Sequence, residues 1–299
     1  MGDNAKGYVF WSALFCYAVV LPLALVRKLS ALRFSSLFSF FCGIYVVLVL
    51  ICVCLVNRQI TPDLSTSLQT AATEFNLTAT GIFNSFPLIV FSFMYQPNLP
   101  SVYSELQTKT TKTMWRVIIA ATLIAVICYT LAGYFGYATF AAYPNVDAIM
   151  MKANILQAPY GSNGWILASQ FLLLAGVVLA SPLCLMPVKD TIEELYLGQG
   201  RTLNACQNFI VTFGIVSLCF LFAVAIPNIS DAMTVIGATS NPLVGFSLPI
   251  IFYLRMDTLR NGEQSFFAPH RLIAHIVNLV CIATGVISLT LFIKSKVNS

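Results

Sequence analysis

The chain has 299 residues, of which 58% are hydrophobic and 9% charged, against about 25% charged in an ordinary soluble domain. So little charge cannot clothe a soluble globule, and an apolar solvent, the lipid bilayer, must cover the outside. The net charge of +5 is small and its basic residues fall in short clusters between apolar runs, which is the pattern of membrane loops and excludes a nucleic-acid surface.

A helix crossing about 30 Å of hydrocarbon needs about 20 apolar residues. Charge-free stretches of that length predict eight helices, near 8–27, 34–56, 82–104, 115–140, 163–188, 203–226, 230–254 and 271–293. The fold class is therefore an all-α integral membrane protein, with a single transmembrane domain over 1–299. The first span begins a few residues after Met1. Met1-Gly2 would suit N-myristoylation, but Lys6 stands where that signal needs Ser or Thr. Arg27, Lys28 and Arg33 separate the first span from the second, and the loop 57–80 after the second holds the glycosylation sequon Asn76-Leu77-Thr78.

The third span carries Pro87, Pro97 and Pro100, with polar Ser92, Gln96 and Asn98 beside them. The fifth carries Pro182 and Pro187, and the seventh Gly237, Pro242, Gly245 and Pro249. Proline removes a backbone donor and frees the carbonyl four residues back. In a bilayer that carbonyl must be satisfied by protein, water or a ligand. Any one of these prolines is equally well a simple kink. The third span, with its polar neighbours, reads instead as a broken helix of the kind that exposes backbone dipoles to substrates and ions. A second sequon, Asn228-Ile229-Ser230, opens the seventh span too close to the membrane to be used.

With the N-terminus outside, the inner loops hold eleven basic residues (Arg27, Lys28, Arg33, Lys109, Lys112, Arg116, Lys189, Arg201, Arg255, Arg260, Arg271) and the outer ones five (Lys6, Arg58, Lys152, Lys294, Lys296). This bias places both termini outside. An outside N-terminus without a signal peptide is the arrangement expected if earlier helices are missing. All nine cysteines lie in apolar runs without CxxC spacing, as small buried hydrophobes do. Nothing points to an enzyme. His270 and His275 are five apart, off the spacing of a helical metal pair, and there is no intramembrane carboxylate pair and no nucleophile turn.

Several segments, in order, resemble the amino acid/auxin permease family, which includes the sodium-coupled neutral and the vacuolar amino acid transporters. Leu21-Pro22-Leu23 through Arg33, then Ser35-Ser36-Leu37-Phe38-Ser39, is similar to the family's fourth helix entering its fifth. Asn84-Ser85-Phe86-Pro87 through Pro97-Asn98-Leu99-Pro100-Ser101-Val102-Tyr103-Ser104-Glu105-Leu106 resembles its sixth and is the most specific match. Leu131 to Phe140 resembles the end of the seventh, Ser181-Pro182-Leu183-Cys184-Leu185-Met186-Pro187-Val188-Lys189 the eighth, and Ile236-Gly237-Ala238-Thr239-Ser240 the tenth.

The resemblance implies an eleven-helix inverted-repeat fold in which the eight spans are helices four to eleven and the first three are absent. It implies secondary active transport of amino acids, coupled to sodium or a proton, with no other cofactor, at the plasma membrane or the vacuolar or lysosomal membrane. Family members that use sodium bind it partly through a threonine on the eighth helix; the aligned stretch here is Val177-Val178-Leu179-Ala180-Ser181. On this reading the substrate meets Phe91, Ser92, Phe93 and Met94, with Ser181 and Ser240 lining the cavity, and the partners are an amino acid and lipid. The rival reading is a membrane sensor or scaffold that binds amino acid without cycling.

Overall fold

The computed structural model describes residues 2–25, 33–56, 64–73, 78–141, 155–158, 160, 163–198, 203–226, 228–262 and 268–297. Among them the chain is all-α. The helices are α1 (Gly2–Phe15), a π-turn (Cys16–Val20) running on into α2 (Leu21–Ala24), α3 (Arg33–Val56), α4 (Leu64–Thr73), α5 (Ala79–Ser92) and α6 (Leu99–Glu105). There follow α7 (Thr111–Phe140), α8 (Gly164–Leu197), α9 (Ala205–Ala225), α10 (Ile229–Ala238), α11 (Leu248–Asn261) and α12 (Pro269–Val297).

Six helical stretches are long and apolar enough to cross a membrane: Phe34–Val56, Thr111–Phe140, Gly164–Leu197, Ala205–Ala225, Ile229–Asn261 and Pro269–Val297; a shorter apolar one covers Val9–Ala24. The chain is an integral membrane protein. Large apolar side chains such as Ile119, Leu123 and Ile127 on α7 stay exposed within the protein, which is what a lipid-facing surface requires. The remaining predicted span, 82–104, is split between α5 and α6.

Helix ends depart from the apolar runs where polar residues cap or extend them. α7 starts at Thr111 because Thr110, in an extended conformation, caps it by accepting from the Thr113 N–H at 3.3 Å. α8 runs two turns past its apolar stretch, to Leu197, on residues that are good helix formers. α4 lies in the predicted loop 57–80, where its Ser, Thr and Gln residues gave no apolar run to read.

The described residues form two compact units. In the first, made of 1–75 and 105–227, α3 packs on α7 and α8. Ser35 Oγ donates to the Leu179 carbonyl at 2.5 Å, and Ser39 Oγ lies 2.8 Å from the Gly176 carbonyl. A core of Val49, Leu50, Val53, Phe140, Tyr160 and Ile166 closes one end. The first span is held on α9 by Tyr17, whose hydroxyl donates to Ser217 Oγ at 3.0 Å and whose ring stacks on Phe213. Lys189 holds its far end. Expected in an inner loop, Lys189 is instead buried on α8, the one charged side chain among the buried described residues, and its ammonium donates to the Ala24 carbonyl at 2.9 Å. A cation there meets the negative end of the helix.

In the second unit, 76–104 and 228–299, α5, α10 and α12 pack in a close trio. Glycines set the spacing. A Cβ on Gly237 would overlap the Pro87 carbonyl oxygen and lie 2.7 Å from its carbon, and one on Gly285 would lie 2.5 Å from the Ala238 carbonyl oxygen. Ser288 Oγ donates to the Phe83 carbonyl at 2.6 Å. The pairings 83 with 288, 87 with 237, 238 with 285 and 231 with 296 make α5 and α10 parallel, with α12 antiparallel to both. α12 is tied at its ends as well, by Lys296 to Asp231 at 2.7 Å and by Arg271 Nε to Asp257 at 3.0 Å.

Candidate functional site at two adjoining helix breaks

Within the second unit two helices lose their α pattern. α5 begins on a Thr78 cap that accepts from the Gly81 N–H at 3.1 Å and ends at Ser92. Phe93 then leaves the helix at φ −101°, ψ 14°. The Met94 N–H, which in a continuing helix would reach Val90, bonds the Phe91 carbonyl at 3.2 Å. The Tyr95 N–H turns to the Phe93 carbonyl at 3.1 Å and to Gln96 Oε1 at 3.0 Å. Pro97 and Pro100 cannot donate, so no α ladder re-forms before α6. The segment Phe91 to Met94, expected from the sequence to meet substrate, thus lies on backbone whose hydrogen bonds have been reassigned.

The second break follows α10. Thr239 sits at φ −114°, ψ −77°, its hydroxyl donating back to Val235 at 2.6 Å. A short helical turn (Ser240–Pro242) and a π-turn (Leu243–Ser247) lead into α11. Ser247, in the π-turn, donates to Asn278 Oδ1 of α12 at 2.6 Å. The two breaks adjoin. The turn Ser240–Pro242 packs on α5, and a Cβ on Gly245 would lie 2.9 Å from Met94 Sδ and 3.6 Å from Gln96 Oε1.

Of the expected site residues, Phe91, Phe93 and Met94 are half-buried at the first break, Ser92 is exposed there, and Ser240 is exposed at the second. Ser92 donates to the Leu88 carbonyl at 2.8 Å, the common habit of serine in a helix. Ser181 belongs to the other unit, where its hydroxyl donates at 2.8 Å to the Val178 carbonyl, the one that Pro182 deprives of its N–H partner. Asn76 lies outside the described residues.

Asn241 was not among the residues expected from the sequence. It is 5% exposed, and its Nδ2 has no hydrogen-bond partner among the described residues. The signal was an Asn-Pro pair inside an apolar span, hidden beside the more familiar Gly and Pro breakers of the same stretch.

A family model described as transmembrane amino acid transporter protein matches residues 8–294. No solved structure matches the chain.

Proposed function

We propose that this chain, which belongs to the transmembrane amino acid transporter family, moves an amino acid by secondary active transport and holds it at the break of α5. Transport of amino acids across a membrane is the family's activity; the ion coupling and the site are this reading's own. The observation that carries it is the reassigned backbone at Phe91 to Tyr95, set beside a second break in the same unit. Broken helices supply oriented amides and carbonyls that hold a carboxylate and an ammonium without a buried net charge. Pro87 and Pro97 are ten residues apart, about 15 Å along a helix, so Phe91 to Met94 falls between them where unsatisfied groups cost most. The driving ion is sodium or a proton, and the N–H groups and carbonyls of the break suit a zwitterion of small size.

The test compares Ser92→Leu with Leu88→Ile. Uptake of labelled amino acids, normalised to protein at the surface, should fall about tenfold or more in Ser92→Leu, the scale of one mis-sized group in a pocket, and stay near normal in Leu88→Ile. The same assay with sodium replaced by N-methylglucamine, or with the outside pH changed, identifies the ion. Equal, near-normal uptake in both variants would place the substrate elsewhere.

A further inference from the structure

A buried amide donor without a partner is rare in native proteins, and each instance calls for a physical reason. Asn241 is such a case. Its Nδ2 is sealed from solvent and unpaired among the described residues, although the side chain sits in the middle of an apolar span. Leaving it so carries the desolvation cost of an unsatisfied donor, and a leucine, branched alike at Cγ, would remove that cost.

Its position supplies the reason. Gly237 lies against the Pro87 carbonyl, and α5 and α10 run parallel. Gly245 in turn lies against Met94, so Asn241, midway between the two glycines, comes level with the turn of α5 around Phe91, the last before it breaks. The turn that carries it packs on α5 and α12. It follows Thr239, where the backbone departs from the helix, and precedes Pro242, which cannot continue the ladder behind it. The amide is therefore mounted on one break and set abreast of the other.

We propose that Asn241 is a substrate-binding residue whose Nδ2 donates to the carboxylate of the transported amino acid once the two breaks part to admit it. The inference rests on the transport reading above and adds a side chain and a chemical group to it. A donor N–H selects an oxygen acceptor, and the carboxylate is the acceptor that all amino acids share. Asn241 thus contributes to binding the common part of the substrate, whereas the side chains at Phe91, Phe93 and Met94 face the variable part.

The experiment uses the full chain purified in detergent and reads its melting temperature with each of the twenty common amino acids, added over a concentration series. The wild type should be stabilised by at least one of them, and the corresponding amine without the carboxylate should not stabilise it. Asn241→Leu should melt at or above the wild-type temperature without ligand, since it removes an unpaired donor. It should need about 10- to 100-fold more amino acid for the same shift, the share of a hydrogen bond to a charged group. Asn241→Asp should lose more than Asn241→Leu, because it sets like charges together. If Asn241→Leu keeps the wild-type concentration dependence, the amide does not touch the substrate. If Asn241→Leu melts well below the wild type or fails to fold, the amide has a structural partner and the proposal falls. If the wild type itself responds to no amino acid, the transport reading falls and takes this inference with it.

Discussion

Replacing Gly237 by alanine tests the contact on which the second unit is built. The new Cβ would overlap the Pro87 carbonyl oxygen and stand 2.7 Å from the carbonyl carbon and 3.1 Å from the Pro87 Cα. Carbon atoms pack best at about 3.5 Å or more, so α5 and α10 must part by roughly 0.8 Å on the carbon pair alone, and by more for the oxygen. The neighbour is backbone inside a helix, so no side chain can swing away. Overpacking of this kind costs about 1–3 kcal/mol, a factor of about 5 to 150 in the equilibrium that the contact supports. Separation of the helices also strains the Ser288 bond to Phe83 on the same helix. Gly214→Ala on α9 is the control, because nothing lies within 4 Å of its would-be Cβ. In a helix interior it should be neutral or should stabilise by up to about 1 kcal/mol. The assay is the fraction of monodisperse protein left after heating in detergent, read by fluorescence-detected size exclusion. Gly237→Ala should lose its folded fraction at a clearly lower temperature than Gly214→Ala. Equal melting of the two would refute the close seating of α10 on Pro87 and, with it, the register that places Asn241 beside Phe91.

Ser288→Ala should destabilise by about 1–3 kcal/mol, because it strands the Phe83 carbonyl that Pro87 has already deprived of its N–H. In a Pro87→Ala background, where an N–H again faces that carbonyl, Ser288→Ala should cost less, and additive effects in a double-mutant cycle would show that the two are uncoupled. Lys189→Met should reduce the folded, surface-delivered protein, because it leaves the Ala24 carbonyl without its buried cation. Lys189→Arg should restore most of it, and the same loss in both would mean that the length of the lysine, not its charge, matters.

The apolar spans were legible because lipid imposes a length and a composition that few charges can interrupt. The third span shows both the reach and the limit of that reading. Its prolines announced a disturbance, yet Pro87 lies inside a continuous α5, and the departure comes at Phe93, whose carbonyl is the one that Pro97 deprives of its N–H. Proline says which hydrogen bond is lost, and the tertiary partner decides whether the helix survives the loss. Lys189 was read as a loop charge because sequence gives no view of Ala24, distant along the chain, whose carbonyl makes burial of the ammonium tolerable. Ser181 and Ser92 were legible as polar residues within spans, but not the carbonyls to which their hydroxyls turn. Asn241 stayed hidden because an asparagine before proline reads as turn punctuation, and only the packing shows its amide unpaired.

Three prolines of the described spans show how distortions are tolerated. The carbonyl stranded by Pro182 is taken by the hydroxyl of the residue beside it, Ser181. The carbonyl stranded by Pro87 is taken by Ser288 from α12. The carbonyl of Ala238, four residues before Pro242, faces Gly285, whose missing side chain lets the two backbones close. In each case a small residue lies against the carbonyl, and in the second unit these contacts also hold α5, α10 and α12 to one another. Rigidity there throws any opening onto Phe93 and Thr239, where the backbone has already left the helix. A donor held unpaired at that level is then available to a ligand without first breaking a bond within the protein. That is why the position of Asn241, rather than its polarity alone, carries the functional argument.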